Sequence, residues 1–102
     1  MSEFKQPASQ VFDLKKKIPE QRPFVIQIGA FENQANANRL KLQVSQIGYE
    51  VIINPLESTG KKFHAVRILR FKSKREAERI GNEIKRKLGT DFRILYRPMS
   101  QN

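Results

Sequence analysis

At 102 residues, with 38% hydrophobic residues that include seven Phe and two Tyr, the chain can build one modest core and no more. A charged fraction of 29%, a mean hydropathy of −0.61 and the lack of any apolar run near the roughly 20 residues of a spanning helix exclude a membrane-embedded chain. A net charge of +10 with no cysteine excludes disulfides and thiolate chemistry and directs the surface towards anions: nucleic acid, an acidic leaflet or an acidic polysaccharide. The charge is uneven, because residues 61–102 hold 13 Lys/Arg against four Asp/Glu whereas residues 1–60 hold seven against six. The opening MSEFKQPASQ lacks the basic-then-apolar order of a secretory signal.

Residues 1–22 carry Phe4, Val11, Phe12, Leu14 and Ile18 without a sustained period, together with Pro7, Pro19 and the run Lys15-Lys16-Lys17. They read as a linker, although Val11, Leu14 and Ile18 also fit a short helix. Phe24 to Ile28 then alternates as a strand that Gly29 ends. Asn33 is placed to cap a helix whose Ala37, Leu40, Val44 and Ile47 share one face, with Gly48 as its left-handed stop. Tyr49 to Ile53 reads as a second strand closed by Asn54-Pro55.

Beyond the polar turn Glu57-Ser58-Thr59-Gly60, Phe63 to Leu69 forms a third strand. Ser73 and Glu76 make a capping box, Ala77, Ile80, Ile84 and Leu88 line a second helix, and Gly89 ends it. Phe92 to Tyr96 is the last strand, before Pro98. The halves overlay: Phe31 precedes Ala37 by six residues as Phe71 precedes Ala77, and Ala37-Asn38-Arg39-Leu40 parallels Ala77-Glu78-Arg79-Ile80. Two βαβ units interleave most simply as an α+β, ferredoxin-like βαββαβ domain: a four-stranded antiparallel sheet with two helices on one face. This domain is expected over residues 23–98, with residues 99–102 as a tail.

If Phe24, Ile26 and Ile28 point at the helices, alternation turns Val25, Gln27 and Gly29 away. The outward set is then Phe63, Ala65, Arg67 and Leu69 on the third strand and Arg93, Leu95 and Arg97 on the fourth. An amide, several guanidinium groups and an aromatic ring on one surface suit a polymer with polar edges and apolar faces. The same residues also make the ordinary wet side of a half-buried sheet.

Phe24-Val25-Ile26-Gln27-Ile28-Gly29-Ala30-Phe31, followed by Asn36-Ala37, Leu40 and Ile47-Gly48-Tyr49, resembles the first half of a SPOR domain, the sporulation-related repeat. Val66-Arg67-Ile68, Phe71 and Ser73-Lys74-Arg75-Glu76-Ala77-Glu78 are similar to the second half, so the resemblance spans residues 23–97. It implies the same fold and non-catalytic binding of peptidoglycan glycan strands from which amidases have removed the stem peptides. It further implies a periplasmic or cell-envelope location, often the division septum. Carried over by position, the binding residues would be Gln27, Gly29, Ala30, Phe63, Arg67, Arg93 and Leu95. Many members have serine where this chain has Ala30, arginine where it has Ala65 and Gly-Pro where it has Leu69-Arg70.

Catalysis is not expected, since His64 is the sole histidine, falls on an inward position and has no carboxylate pair near it. No metal-ligand cluster or glycine-rich phosphate loop is present, so no cofactor is expected, and the domain should act as a monomer. The rival partner is single-stranded RNA, because RNA-recognition (RRM) domains share this topology and bind on the same face. Their third-strand signature wants outward aromatics where Ala65 and Arg67 stand. A third reading is a protein-interaction domain pairing through exposed apolar residues such as Ile52 on the edge strand.

Overall fold

The computed structural model describes residues 21–98. In chain order these form β1 (Phe24–Phe31), α1 (Gln34–Ile47), β2 (Val51–Ser58), β3 (Lys61–Phe71), α2 (Lys74–Leu88) and β4 (Arg93–Tyr96). The sheet runs β2-β3-β1-β4 with every neighbouring pair antiparallel, the expected ferredoxin-like order. The linker and short-helix readings of the first 20 residues, and the tail at 99–102, lie outside the described residues.

Both helices form where the sequence caps them. Asn33 Oδ1 accepts from the Ala35 and Asn36 amides, and Ser73 Oγ accepts from the Glu76 amide at 3.1 Å. Gly48 and Gly89, both at positive φ, end the helices. One apolar cluster joins Ala37, Leu40 and Val44 of α1 and Ala77, Ile80 and Ile84 of α2 to Ile26, Ile28, Val51, Val66, Ile68 and Phe71 of the sheet. All the sheet residues of this cluster point one way, so the helices cover one face only.

Boundaries of all four strands depart from the sequence reading. β1 does not stop at Gly29 but continues to Phe31 through a bulge: Gln27 pairs with Arg67 and Gly29 with the very next β3 residue, Val66. β2 does not close at Asn54-Pro55 but runs to Ser58, because it is an edge strand and a proline can turn its missing donor outward there. β3 is longer than expected and starts at Lys61, directly across a two-residue turn from Ser58. Thr59 and Gly60 of that turn both have positive φ, at 50° and 80°, as a twisted hairpin connection requires. β4 begins at Arg93, one residue late, because Phe92 is spent packing beside Gly81 of α2.

Candidate functional site

The bulge in β1 decides what reaches the uncovered face. Ile28 is buried in the helix-side core, and a Cβ on Gly29 would lie 2.9 Å from Cε2 of Phe31 and 3.3 Å from Cδ2 of Leu40. Gly29 therefore faces α1, which corrects the alternation that turned it outward. Two successive residues take the core side, and the next, Ala30, is exposed on the open face. Pairing aligns Ile52, Arg67, Gln27 and Arg93 as one rung across all four strands, with Asn54, Ala65 and Ala30 on the next rung and Leu56 opposite Phe63 beyond it.

These rungs enclose a groove of about 360 Å³ lined by Gln27, Ala30, Leu56, Ser58, Phe63, Arg67, Arg93, Leu95 and Arg97. Six of the seven positions carried over from the family resemblance thus meet in one place. Gly29 lines an adjoining hollow of about 390 Å³ with Thr90, Asp91 and Phe92, which shares Gln27, Ala30 and Arg93 with the first. The face is less open than alternation implies: Val25 and Ala65 are buried, although neither belongs to the helix-side cluster, and Phe63 is half-buried beside Leu56. Ile52 of the edge strand is likewise half-buried rather than exposed.

Arg67 is the centre of the groove. Its Nε donates to Gln27 Oε1 at 3.0 Å and its Nη1 donates to Asn54 Oδ1 at 3.3 Å, so amides from the two flanking strands fix the guanidinium plane. Burial lowers its pKa from the ordinary arginine value, and the positive charges of Arg97 and Arg93 lower it further. Among the described residues none of these three arginines forms an ion pair with a carboxylate. The groove is a preorganised cationic centre with neutral hydrogen-bonding walls and apolar ends.

Sequence reasoning missed Asn54, Leu56 and Ser58 because it ended the second strand at Ile53. The alternation Ile52, Asn54, Leu56, Ser58 continues through Pro55 and would have found them. Arg70 has a structural role: its Nη1 donates to the Arg22 carbonyl at 3.2 Å and to the Arg97 carbonyl at 2.8 Å. It ties the strand entering the sheet to the strand leaving it. His64 is half-buried at the Phe31 and Pro55 rung, away from Arg67. No group of three or more metal-ligating side chains occurs among the described residues.

The family model of the SPOR domain matches residues 20–94. Among solved structures the chain is similar to the SPOR domain of RlpA from Pseudomonas aeruginosa, at 25% identity and a TM-score of 0.64 over 71% of this chain and 96% of that one. It is similar to the peptidoglycan-binding domain of the B. subtilis cell wall lytic enzyme CwlC, at 26% identity and a TM-score of 0.58 over 95% and 100%. The SPOR protein DedD shares the fold at 22% identity, with a TM-score of 0.52 over 97% of this chain and 52% of that chain. No curated protein matches the chain.

Proposed function

This chain belongs to the SPOR domain family, and from that membership we propose that it is a non-catalytic peptidoglycan-binding module of the bacterial cell envelope. In this reading a glycan strand lies along the sheet groove, strands without stem peptides are preferred, and the protein that carries the module is brought to the wall at the division septum. The observation that carries the reading is the fixed guanidinium of Arg67 between Gln27 and Asn54, with Arg93 and Arg97 beside it and none of the three in an ion pair among the described residues. Removing a stem peptide leaves a lactyl carboxylate on the muramic acid, so a denuded strand is a polyanion with regularly spaced planar charges. A fork of parallel N–H donors suits such a group, at about 1.5–3 kcal/mol for a charge-assisted pair. Phe63, Leu56 and Leu95 offer apolar surface to the sugar faces, and Gln27, Asn54 and Ser58 offer partners to hydroxyls.

The test is co-sedimentation of the chain with sacculi, untreated and amidase-treated, with single-stranded RNA as competitor. Binding should rise on amidase treatment, survive RNA, and fall for Gln27→Ala and Arg67→Ala. Binding indifferent to amidase but displaced by RNA would make the groove a nucleic-acid surface instead.

A further inference from the structure

The helix layer has a charge pattern of its own, on the side of the sheet opposite the groove. Spacings of four and seven set Arg75, Arg79 and Arg86 in one line along the side of α2 turned away from Ala77, Ile80 and Ile84. The line is about 16 Å long. All three arginines are exposed, and none makes an ion pair among the described residues, although Glu76, Glu78 and Glu83 share their helix. Glu83 is instead engaged by Tyr49 and Lys87, and Lys85 by Asp91. Helix α1 contains no acidic residue at all, carries Arg39 and Lys41, and presents Leu42, 59% exposed, two residues from both Leu40 and Val44 and so on the side away from the core.

We propose that this outer helix surface docks on an anionic phospholipid bilayer, independently of what the sheet groove holds. The surface is a convex pair of helices with cations spread over it and one leucine standing out, and neither sheet-face hollow includes an α2 residue. A polymer strand is gripped by a groove, whereas a planar acidic leaflet is met by dispersed cations with an apolar side chain entering the headgroup boundary. Because helices and groove lie on opposite faces, both surfaces can be occupied at once, and the domain would bridge a membrane and a polymer beyond it.

Flotation of the full chain with vesicles of phosphatidylcholine, alone or mixed with phosphatidylglycerol, tests this. Binding should require phosphatidylglycerol and weaken as salt rises. Each cation near an acidic surface is worth about fivefold in affinity, so a triple Arg75→Gln, Arg79→Gln, Arg86→Gln variant should lose on the order of a hundredfold. These exposed sites accept glutamine without loss of helix propensity, and circular dichroism verifies the fold. The corresponding lysine triple should bind within severalfold of the parent, since a leaflet responds to charge, and Leu42→Ser should bind severalfold more weakly. Arg67→Gln, in the groove, should leave vesicle binding unchanged. Binding without lipid preference, or a glutamine triple that binds as tightly as the parent, would overturn the proposal. So would a lysine triple that binds no better than the glutamine one, or a loss in Arg67→Gln.

Discussion

A guanidinium that is half-buried, held by two neutral amides and faced by two further arginines is electrostatically unsatisfied until an anion arrives. The geometry of the fork then matters as much as its charge. Arg67→Lys keeps the charge but loses the second donor, about 1.5 kcal/mol, so sacculus affinity measured by sedimentation should drop about tenfold. Asn54→Ala frees one end of the guanidinium and should cost about two- to fivefold in the same assay, with the fold intact. Gln27 and Arg67 were legible in the sequence because strict alternation holds on the strand segments that carry them. Asn54 was hidden by the proline after it, and Gly29 was turned the wrong way because a bulge is a property of two paired strands. Nothing within Gln27-Ile28-Gly29 announces that Arg67 and its neighbour Val66 will take partners two residue positions apart in β1.

At the scale of elements, caps and helix faces were the most legible features, since their signals are local and span three or four residues. Turn and contact geometry was less so. Thr59 is a β-branched residue at φ 50°, a conformation that favours Asn or Gly, and its hydroxyl donates to the Ser58 carbonyl at 2.6 Å. Thr59→Asn creates an Asn-Gly turn and should stabilise the hairpin by about 0.5–1 kcal/mol in urea unfolding. In α2, a Cβ on Gly81 would lie 2.5 Å from the Phe92 ring. Gly81→Ala gains about 1 kcal/mol of helix propensity. Displacing the ring costs about 1–3 kcal/mol, so the variant should be destabilised in the same measurement.

Over the whole molecule, the first half is tied to the second by a polar contact that no sequence pattern foretold. Tyr49, just before β2, donates from its hydroxyl to Glu83 Oε1 at 2.9 Å, and Lys87 reaches the other carboxylate oxygen at 3.2 Å. The Tyr49 bond, followed by the Lys87 bond, holds the Glu83 carboxyl below its ordinary range. Burial, with the Glu83 bond behind it, pushes the Tyr49 phenol up. A depressed carboxyl stabilises the fold above the usual carboxylate range, and that contribution is lost as pH falls through the depressed value. A raised phenol contributes below the usual tyrosine range and is lost as pH climbs through the raised value. Tyr49→Phe should therefore lower the thermal midpoint most at neutral pH, with the gap to the parent protein closing in acid and in strong base.

The Arg97 amide donates to the Pro23 carbonyl, Phe24 stacks edge-on against Tyr96 at 5.5 Å, and Arg70 clasps the carbonyls of Arg22 and Arg97. The chain thus enters and leaves the folded unit at one corner, through antiparallel neighbours joined by four paired positions. Tension across those two points would unzip β4 from β1 one rung after another, with the Arg70 clasp as the first latch to give. Tension between a ligand held on the sheet and the Pro23 end would instead shear β1 along its own axis, loading its rungs to β3 and β4 together. Such a unit holds when pulled between its sheet face and one end and yields when its two ends are pulled apart.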